Sequence, residues 1–578
     1  MADKIVDIAI VGGGVSGIYT AWRLATASPA EVEAIRGRIG GSGPLKIEVH
    51  ERGRRLGGRL LSAIPDTVPY DPEAGDPPGT VAEIGGMRFL NTQPYVSALV
   101  QNHLKLAHYE QTVGVPENLA YLRGHRLLQG AVGAWTNPLY FNVTEDERVL
   151  IGGPKGADPA PTPDPTAPLF AGALQALSED LREKITKGQI KGMDLLIALS
   201  EVKIDGVDLW KMGFWNLLSR HVSHEARQLA ITMIGYDVLG ANANAVDIIA
   251  ENFDFTKDTK YYLMNEGYES VVWHLAEEFI AAGGTVVMNH ELAAVGDGSG
   301  ETPFSLTFQQ GEALAARAVV LAMPPAAIRR LNRSGPLLDP ARAPGVPGLL
   351  SSVSGIPLYK LFLVYDRPWW NDHAGLSAGR SITDLPVRQC YYWRTQPGGP
   401  SMIMAYNDLD STSFWGGYQL GAQQVGNTVT DKGAAGRPYV LPGFSDPAAR
   451  SQEYLRRKRD NWTNHVAPQA MVMEMHHQLK EMHGVPGAPD PIDAAFMDWM
   501  NEPYGGAVHF WNPGCKSHEL ARTIVQPVDG LNAFIVGEAF SNGQTWVEGA
   551  LQTAELLLQE RLGLAAPDWL SEGPGGGA

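Results

Sequence analysis

The sequence predicts a mixed α/β fold of more than one domain, on three observations. A strand pattern, Ile5 to Val11, runs into a glycine-rich turn and then a helical pattern, and the same rhythm returns between Leu263 and Met323. Residues 94–246 are mainly helical in period, whereas Pro357–Trp370 and Val387–Asn407 read as long strands. At 578 residues the chain exceeds one hydrophobic core and suggests two or three domains.

The first strand is apolar and β-branched except at Asp7, and it leads into Gly12-Gly13-Gly14-Val15-Ser16-Gly17. A strand followed by G-x-G-x-x-G on Gly12, Gly14 and Gly17 is the Rossmann-like dinucleotide fingerprint. Gly12 permits the tight turn, Gly14 lets a pyrophosphate approach the backbone, and Gly17 lets the helix pack on the strand. Val15 and Ser16 open that helix, whose free N–H groups suit a phosphate. A second strand, Leu45, Ile47 and Val49, ends at Glu51, whose carboxylate suits ribose hydroxyls. Gly12 to Glu51 spans 39 positions against the usual ~20. The excess falls in Glu31–Gly43, read as an insertion. Arg52 follows, and Gly57-Gly58-Arg59 offer two glycines and a cation to the same pyrophosphate.

Along the helical stretch, Leu174, Leu177, Leu181 and Ile185 share one face, and Gly152–Pro168 is a Pro-rich break read as an exposed loop. Gly267-Tyr268-Glu269 opens a helix closed by Gly283-Gly284. Thr285–Met288 and Ala318–Ala322 are strands. Val547, Ala550, Leu551, Ala554, Leu557 and Leu558 mark a helix starting near Trp546. Gly573–Ala578 reads as a disordered tail.

Composition excludes several classes. Net charge is −17 with no long Lys/Arg run beyond Arg456–Arg459, which argues against a nucleic-acid partner. Two cysteines, Cys390 and Cys515, fit a reducing compartment. No apolar run reaches the ~20 residues of a membrane helix, and a strand begins by Ile5, so the expectation is a cytoplasmic protein. His476, His477 and His483 lie in a Met-rich helix and are expected at its surface. Adjacent histidines diverge by ~100° and nothing completes a ligand set, so no metal is expected. H-E-x-x-H, G-x-S-x-G and C-x-x-C are absent.

The segments V-G-G-G-V-S-G, H-E-R, L-G-G-R-L and Glu83-Ile84-Gly85-Gly86-Met87-Arg88-Phe89, with Phe534–Phe540 and Trp546–Ala550 at the far end, resemble the flavin-dependent amine oxidases, the family of monoamine and L-amino acid oxidases. The resemblance implies FAD and a discontinuous FAD domain in residues 1–93, 247–330 and 505–570. It also implies a helical domain in 94–246, a mixed-sheet substrate domain in 331–504 and a tail in 571–578. It places Gly85, Gly86, Met87 and Arg88 beside the flavin and Leu292 against the adenine. Gly537 and Glu538 fall on the ribityl or pyrophosphate part, and Trp546 and Val547 at the helix N-terminus facing the pyrimidine. Monoamine oxidases attach flavin through a Cys in Y-S-G-G-C; Tyr504-Gly505-Gly506-Ala507 has none, so the flavin is expected to be non-covalent. At Thr545 L-amino acid oxidases often carry Gly.

Oxidising an amino acid requires its carboxylate to be held, which a planar guanidinium does with two parallel hydrogen bonds. Arg88, in the apolar stretch Ile84–Leu90, is the candidate; the alternative is an internal ion pair. Alternation sets Tyr391 and Trp393 on one face, Cys390 and Tyr392 on the other. The resemblance asks for one tyrosine on the carboxylate; we take Tyr391, with Trp393 and Trp546 shaping the substrate pocket. Lys360, alone in an apolar strand, matches the family lysine that assists reoxidation. Asp237 is either a selector for a Lys or Arg substrate or a surface or capping Asp.

The expectation is an L-amino acid oxidase acting on small-molecule L-amino acids, of broad range or with basic or neutral side chains, and on oxygen, giving 2-oxo acid, ammonia and hydrogen peroxide. Since relatives are often dimers, a homodimer or higher homo-oligomer is expected. The rivals are an L-amino acid 2-monooxygenase giving the amide, an amine or polyamine oxidase, and a flavin-free binding protein of the same fold.

Overall fold

A computed structural model describes residues 4–571, apart from 71–78, 131–141, 151–172, 238–240, 254–257, 425–436, 444–445 and 502. Strand Lys4–Val11, buried from Val6 onward, lies inside an eight-stranded sheet. Across that sheet run Leu292–Ser299, Thr302–Phe308, Ala313–Leu321, Lys4–Val11, Ile47–His50, Thr285–Met288 and Tyr439–Val440, with Ala533–Ile535 pairing the end of Ala313–Leu321. Both neighbours of Lys4–Val11 run parallel to it, as does Thr285–Met288 to Ile47–His50. The carboxyl ends of these strands therefore share one edge, where open α/β sheets place their ligand crevice.

Helix Val15–Ala25 packs Ile18, Ala21, Trp22 and Leu24 into the core beneath the sheet, beside helix Ser270–Ala281. The insertion after it is largely a helix, Pro29–Ile39. Ser28 Oγ accepts the Glu31 N–H, Glu31 accepts the Ser28 N–H, and Pro29 takes the first turn. The one charge in the first strand explains its docking: Asp7 receives Arg36 on both oxygens, at 2.5 and 2.8 Å. Burial raises the Asp7 carboxyl, and hydrogen bonds from Arg36 and Lys46 more than reverse this, leaving it below its ordinary value.

The second sheet has seven strands, in the order Asp493–Asp498, Leu358–Tyr365, Ser401–Asp408, Gln389–Arg394, Arg380–Thr383, Leu119–Leu122 and His125–Leu128. Its last two strands belong to the stretch expected to be helical, which is a correction. They form a hairpin turning on Arg123-Gly124, both at positive φ (49° and 80°). Arg-Gly is a poor signature for such a turn, which Asn-Gly or Asp-Gly usually fills. Helices Glu179–Thr186, Gly192–Ser200, Phe214–Leu218, His224–Ile234 and Ala245–Phe253 follow; Leu177, Ile185, Leu195 and Leu199 share their core. The break at Gly152–Pro168 and the tail at Gly573–Ala578 lie outside the described residues.

Helix Gln469–His483 packs Met471, Met475, Leu479 and Met482 against the second sheet. Its histidines are not all at the surface. His476 and His483 are buried against the Tyr365 and Tyr392 hydroxyls at 3.0 and 2.9 Å, and only His477 is exposed. No metal-ligand cluster occurs among the described residues. Nor is any described helix long and apolar enough to cross a membrane.

Candidate active site

A cavity of about 860 Å³ runs along the edge of the first sheet and ends against the second. One end is lined by Glu51, Arg52, His290, Glu291 and Leu292; the middle by Gly12, Gly14, Val15, Ser16, Gly58 and Arg59. At the far end stand Gly85, Gly86, Met87, Arg88, Lys360, Gly537, Glu538, Trp546 and Val547.

Several of its features fit a dinucleotide with an attached ring system. Gly12 sits at φ +113°, and a Cβ there would lie 2.3 Å from the Ala322 carbonyl oxygen. A Cβ on Gly17 would lie 2.0 Å from the Gly12 oxygen, so Gly17 serves packing and does not line the cavity. Gly14 is different: its Cβ would meet nothing closer than Gly58 Cα at 3.7 Å, so its lack of a side chain leaves room in the cavity wall. Glu51 is aimed by two backbone donors, Gly13 N–H at 2.7 Å and Gly53 N–H at 2.6 Å. Arg52 pairs with Glu291 at 3.3 Å. His290 stacks on Phe308 at 3.6 Å and shares a 3.0 Å ring-nitrogen contact with His50.

Glu538 acts through the protein. Its carboxylate accepts Arg59 at 2.6 Å and the N–H groups of His509 and Thr545 at 2.9 Å each. Burial raises its pKa, and Arg59 and His509 overcome this, bringing it down to about 2. Glu538 thus braces Arg59 in the cavity wall. Thr545 holds φ +73°, the left-handed conformation natural to the Gly found there in the resembled oxidases. Trp546 is the N-cap of helix Val547–Leu556, whose dipole and free N–H groups face the cavity.

Arg88 lines the substrate end, donating to Gln111 Oε1 at 3.0 Å and standing 4.3 Å over the Tyr261 ring. No carboxylate pairs with it among the described residues, so the internal-ion-pair alternative has no support there. Tyr391 is buried behind the cavity wall and is not part of its lining; its hydroxyl lies 3.3 Å from that of Tyr236, which does line the cavity. Burial raises the Tyr391 pKa, but the guanidiniums of Arg380 and Arg88 outweigh this and leave it below the ordinary value. Tyr392 faces the other way, against Ser381 and His483.

Lys360 is buried and donates to the carbonyls of Glu83, at 3.1 Å, and Gly85. Burial brings its ammonium down to about 7 while raising the neighbouring Glu83 carboxyl to about 8.

Three expected substrate residues are corrected: Tyr391 lies behind the wall and can act only through Tyr236 and Arg88, and two others stand further off. Trp393 does not reach the cavity: its indole N–H bonds the Val81 carbonyl at 2.8 Å and its ring packs edge-on to Phe362. The bulge after Tyr392 breaks the strict alternation that placed it with Tyr391. Asp237 does not line the cavity either. Its carboxylate accepts Arg388 Nε at 2.8 Å and its own N–H goes to Asp408, so it is a structural ion pair.

The sequence reading missed Arg380, Tyr236, Tyr261 and Tyr406, which line the substrate end with Gln129, Glu251 and Asp408. They come from four separate segments, and no local motif marks any of them. Neither cysteine lines the cavity.

Residues 15–415 match the family model described as "Flavin containing amine oxidoreductase". The chain is 25% identical to Aplysianin-A of Aplysia kurodai, covering 96% of this chain and 90% of that protein. It is 21% identical to achacin of Lissachatina fulica, covering 96% and 93%. A putrescine oxidase double mutant superposes with a TM-score of 0.53 over 96% of this chain and 99% of its own, at 17% identity, which speaks for a shared fold.

Proposed function

Because this chain belongs to the flavin containing amine oxidoreductases, we propose that it is an L-amino acid oxidase working with non-covalent FAD. The observation that carries the proposal is Arg88, a guanidinium lining the cavity with no carboxylate partner among the described residues. A simple amine would leave that cation with nothing to bind, whereas an amino acid brings a carboxylate to it.

The residues that would hold the cofactor are Glu51 for the ribose, Gly12, Gly14 and Arg59 for the pyrophosphate, and the helix starting at Val547 for the ring. When bound, flavin supplies a two-electron acceptor that oxygen can recycle. The protein does the rest. Arg88 fixes the substrate carboxylate and so orients its Cα–H bond, while Tyr391, behind the wall, steadies Arg88 and the Tyr236 hydroxyl. Gly85 and Met87 with Trp546 form walls around the reacting carbon. Lys360, uncharged in part near neutrality, offers a polar group to hold a proton or a water at the cavity surface. In the overall balance the amino acid loses two electrons and two protons as C=N forms, water hydrolyses the C=N to oxo acid and ammonia, and oxygen becomes hydrogen peroxide.

A peroxide assay across the twenty amino acids in both enantiomers, with the matching amines, tests this. Peroxide with L-amino acids alone supports it; equal turnover of amines overturns it. Amide in place of peroxide identifies the monooxygenase. No described cysteine lines the cavity, which supports a non-covalently held flavin, and a cytoplasmic location and a homo-oligomer are part of the same proposal.

A further inference from the structure

The substrate end holds a second cation that a monocarboxylate cannot satisfy. Arg380, on strand Arg380–Thr383, is only 5% exposed yet lines the cavity. Its guanidinium donates to Gln389 Oε1 at 2.5 Å and stands 5.0 Å over the Tyr236 ring. Like Arg88, it has no carboxylate within ion-pair distance among the described residues. The two acids lining this end are otherwise engaged: Glu251 accepts the Thr545 hydroxyl at 3.1 Å, and Asp408 accepts the Asp237 N–H at 2.7 Å. Lys360 is turned to the Glu83 and Gly85 carbonyls.

Two guanidiniums therefore flank one tyrosine pair, Tyr236 and Tyr391; Arg88 meets Gln111 and the Tyr391 hydroxyl and Arg380 meets Gln389, few neutral acceptors where each has five N–H donors. A buried charge is tolerated when it meets an opposite one. We propose that the substrates are α-amino dicarboxylic acids, aspartate or glutamate, with Arg88 on the α-carboxylate and Arg380 on the side-chain carboxylate. This rests on the amino-acid-oxidase reading and narrows it. An apolar or basic side chain would leave Arg380 desolvated and unpaired, or facing a like charge, so exclusion of those substrates is built from the same residue.

The test is kcat/KM on the flavin-loaded enzyme for L-glutamate, L-aspartate, L-glutamine, L-norleucine and L-lysine. The expected result is a preference of roughly 100-fold or more for an acidic substrate over its amide, since truncating one partner of a buried ion pair typically costs this much. Arg380→Met should reverse the order, lowering the acidic substrate about 100-fold and raising norleucine several-fold, while Arg380→Lys falls between. If Arg380→Met does not fold, inhibition of the unaltered enzyme serves: glutarate or succinate should compete at least tenfold better than butyrate. Turnover of L-amino acids with no acidic preference, or an Arg380→Met loss equal for all substrates, overturns the proposal while leaving the oxidase reading intact. Failure of every L-amino acid to bleach the flavin overturns both.

Discussion

Replacing Arg88 by Met removes the guanidinium while keeping most of the side-chain volume. The structure shows what is lost: a cation that lines the cavity, lies over Tyr261 and meets neutral side-chain partners, Gln111 and Tyr391, but no carboxylate among the described residues. Before substrate arrives, Arg88 is partly accessible, so the lost interaction forms only as the carboxylate displaces water. Truncating one partner of such a pair costs about 2–5 kcal/mol. At about 1.4 kcal/mol per decade this is a fall in kcat/KM of roughly 30- to 4000-fold. Arg88→Lys keeps the charge and loses the fork, and should fall about tenfold. The assay is peroxide formation from an L-amino acid and from its decarboxylated amine, with flavin absorbance recorded to establish retention. The gap between acid and amine should close in Arg88→Met because the acid becomes worse. An unchanged KM for the acid, or an equal loss for acid and amine, refutes the reasoning.

Other expectations separate structure from chemistry. Asp237→Ala should lower stability by about 2–4 kcal/mol by stranding the buried Arg388, without altering the order of preferred substrates; denaturation and the substrate panel check both. Gly14→Val should fold nearly as well as the parent and lose flavin, because its side chain meets only space the cofactor needs. Gly12→Val should lose the fold as well, with Ala322 in the way; the melting temperature of the flavin-free protein distinguishes them. Lys360 has a native pKa of about 7 against an ordinary 10.5, so between those values the unfolded chain binds a proton that the native one does not, and stability rises with pH. Glu83, raised to about 8, works oppositely from its ordinary 4.5 up to 8. Above pH 8 Glu83 no longer opposes it, Lys360 adds about 1.4 kcal/mol per pH unit to whatever other buried groups such as Lys458 contribute, and Lys360→Met should reduce the slope by that amount in urea titrations at pH 8.5 and 9.5. Acid precipitation should leave the yellow colour in the supernatant.

The nucleotide half of the site was legible because its chemistry is local. A turn that needs glycine, a strand that ends on Glu51 and a helix that starts at Val547 each write their constraint into adjacent residues. The substrate half was legible only where one residue stood out against an apolar run, as Arg88 and Lys360 do. Arg380 and Tyr236 reach the cavity through the pairing of distant strands and the end of helix His224–Ile234, which no window along the chain contains. Trp393 shows the converse failure: strict alternation assigned it a face, and a single bulge moved it. Asp237 was misread because its partner, Arg388, is 151 positions away.

The long strand Ala313–Leu321 is completed on one side by the chain's first strand and at its end by Ala533–Ile535, from the last tenth of the sequence. Helix Val547–Leu556, which seals the cavity, follows even later. A ribosome must therefore pass Leu556 before the cofactor has a complete berth. Until then the nascent polypeptide carries an unclosed seam, so complete loading waits on synthesis of these late segments and on whatever shields that seam meanwhile.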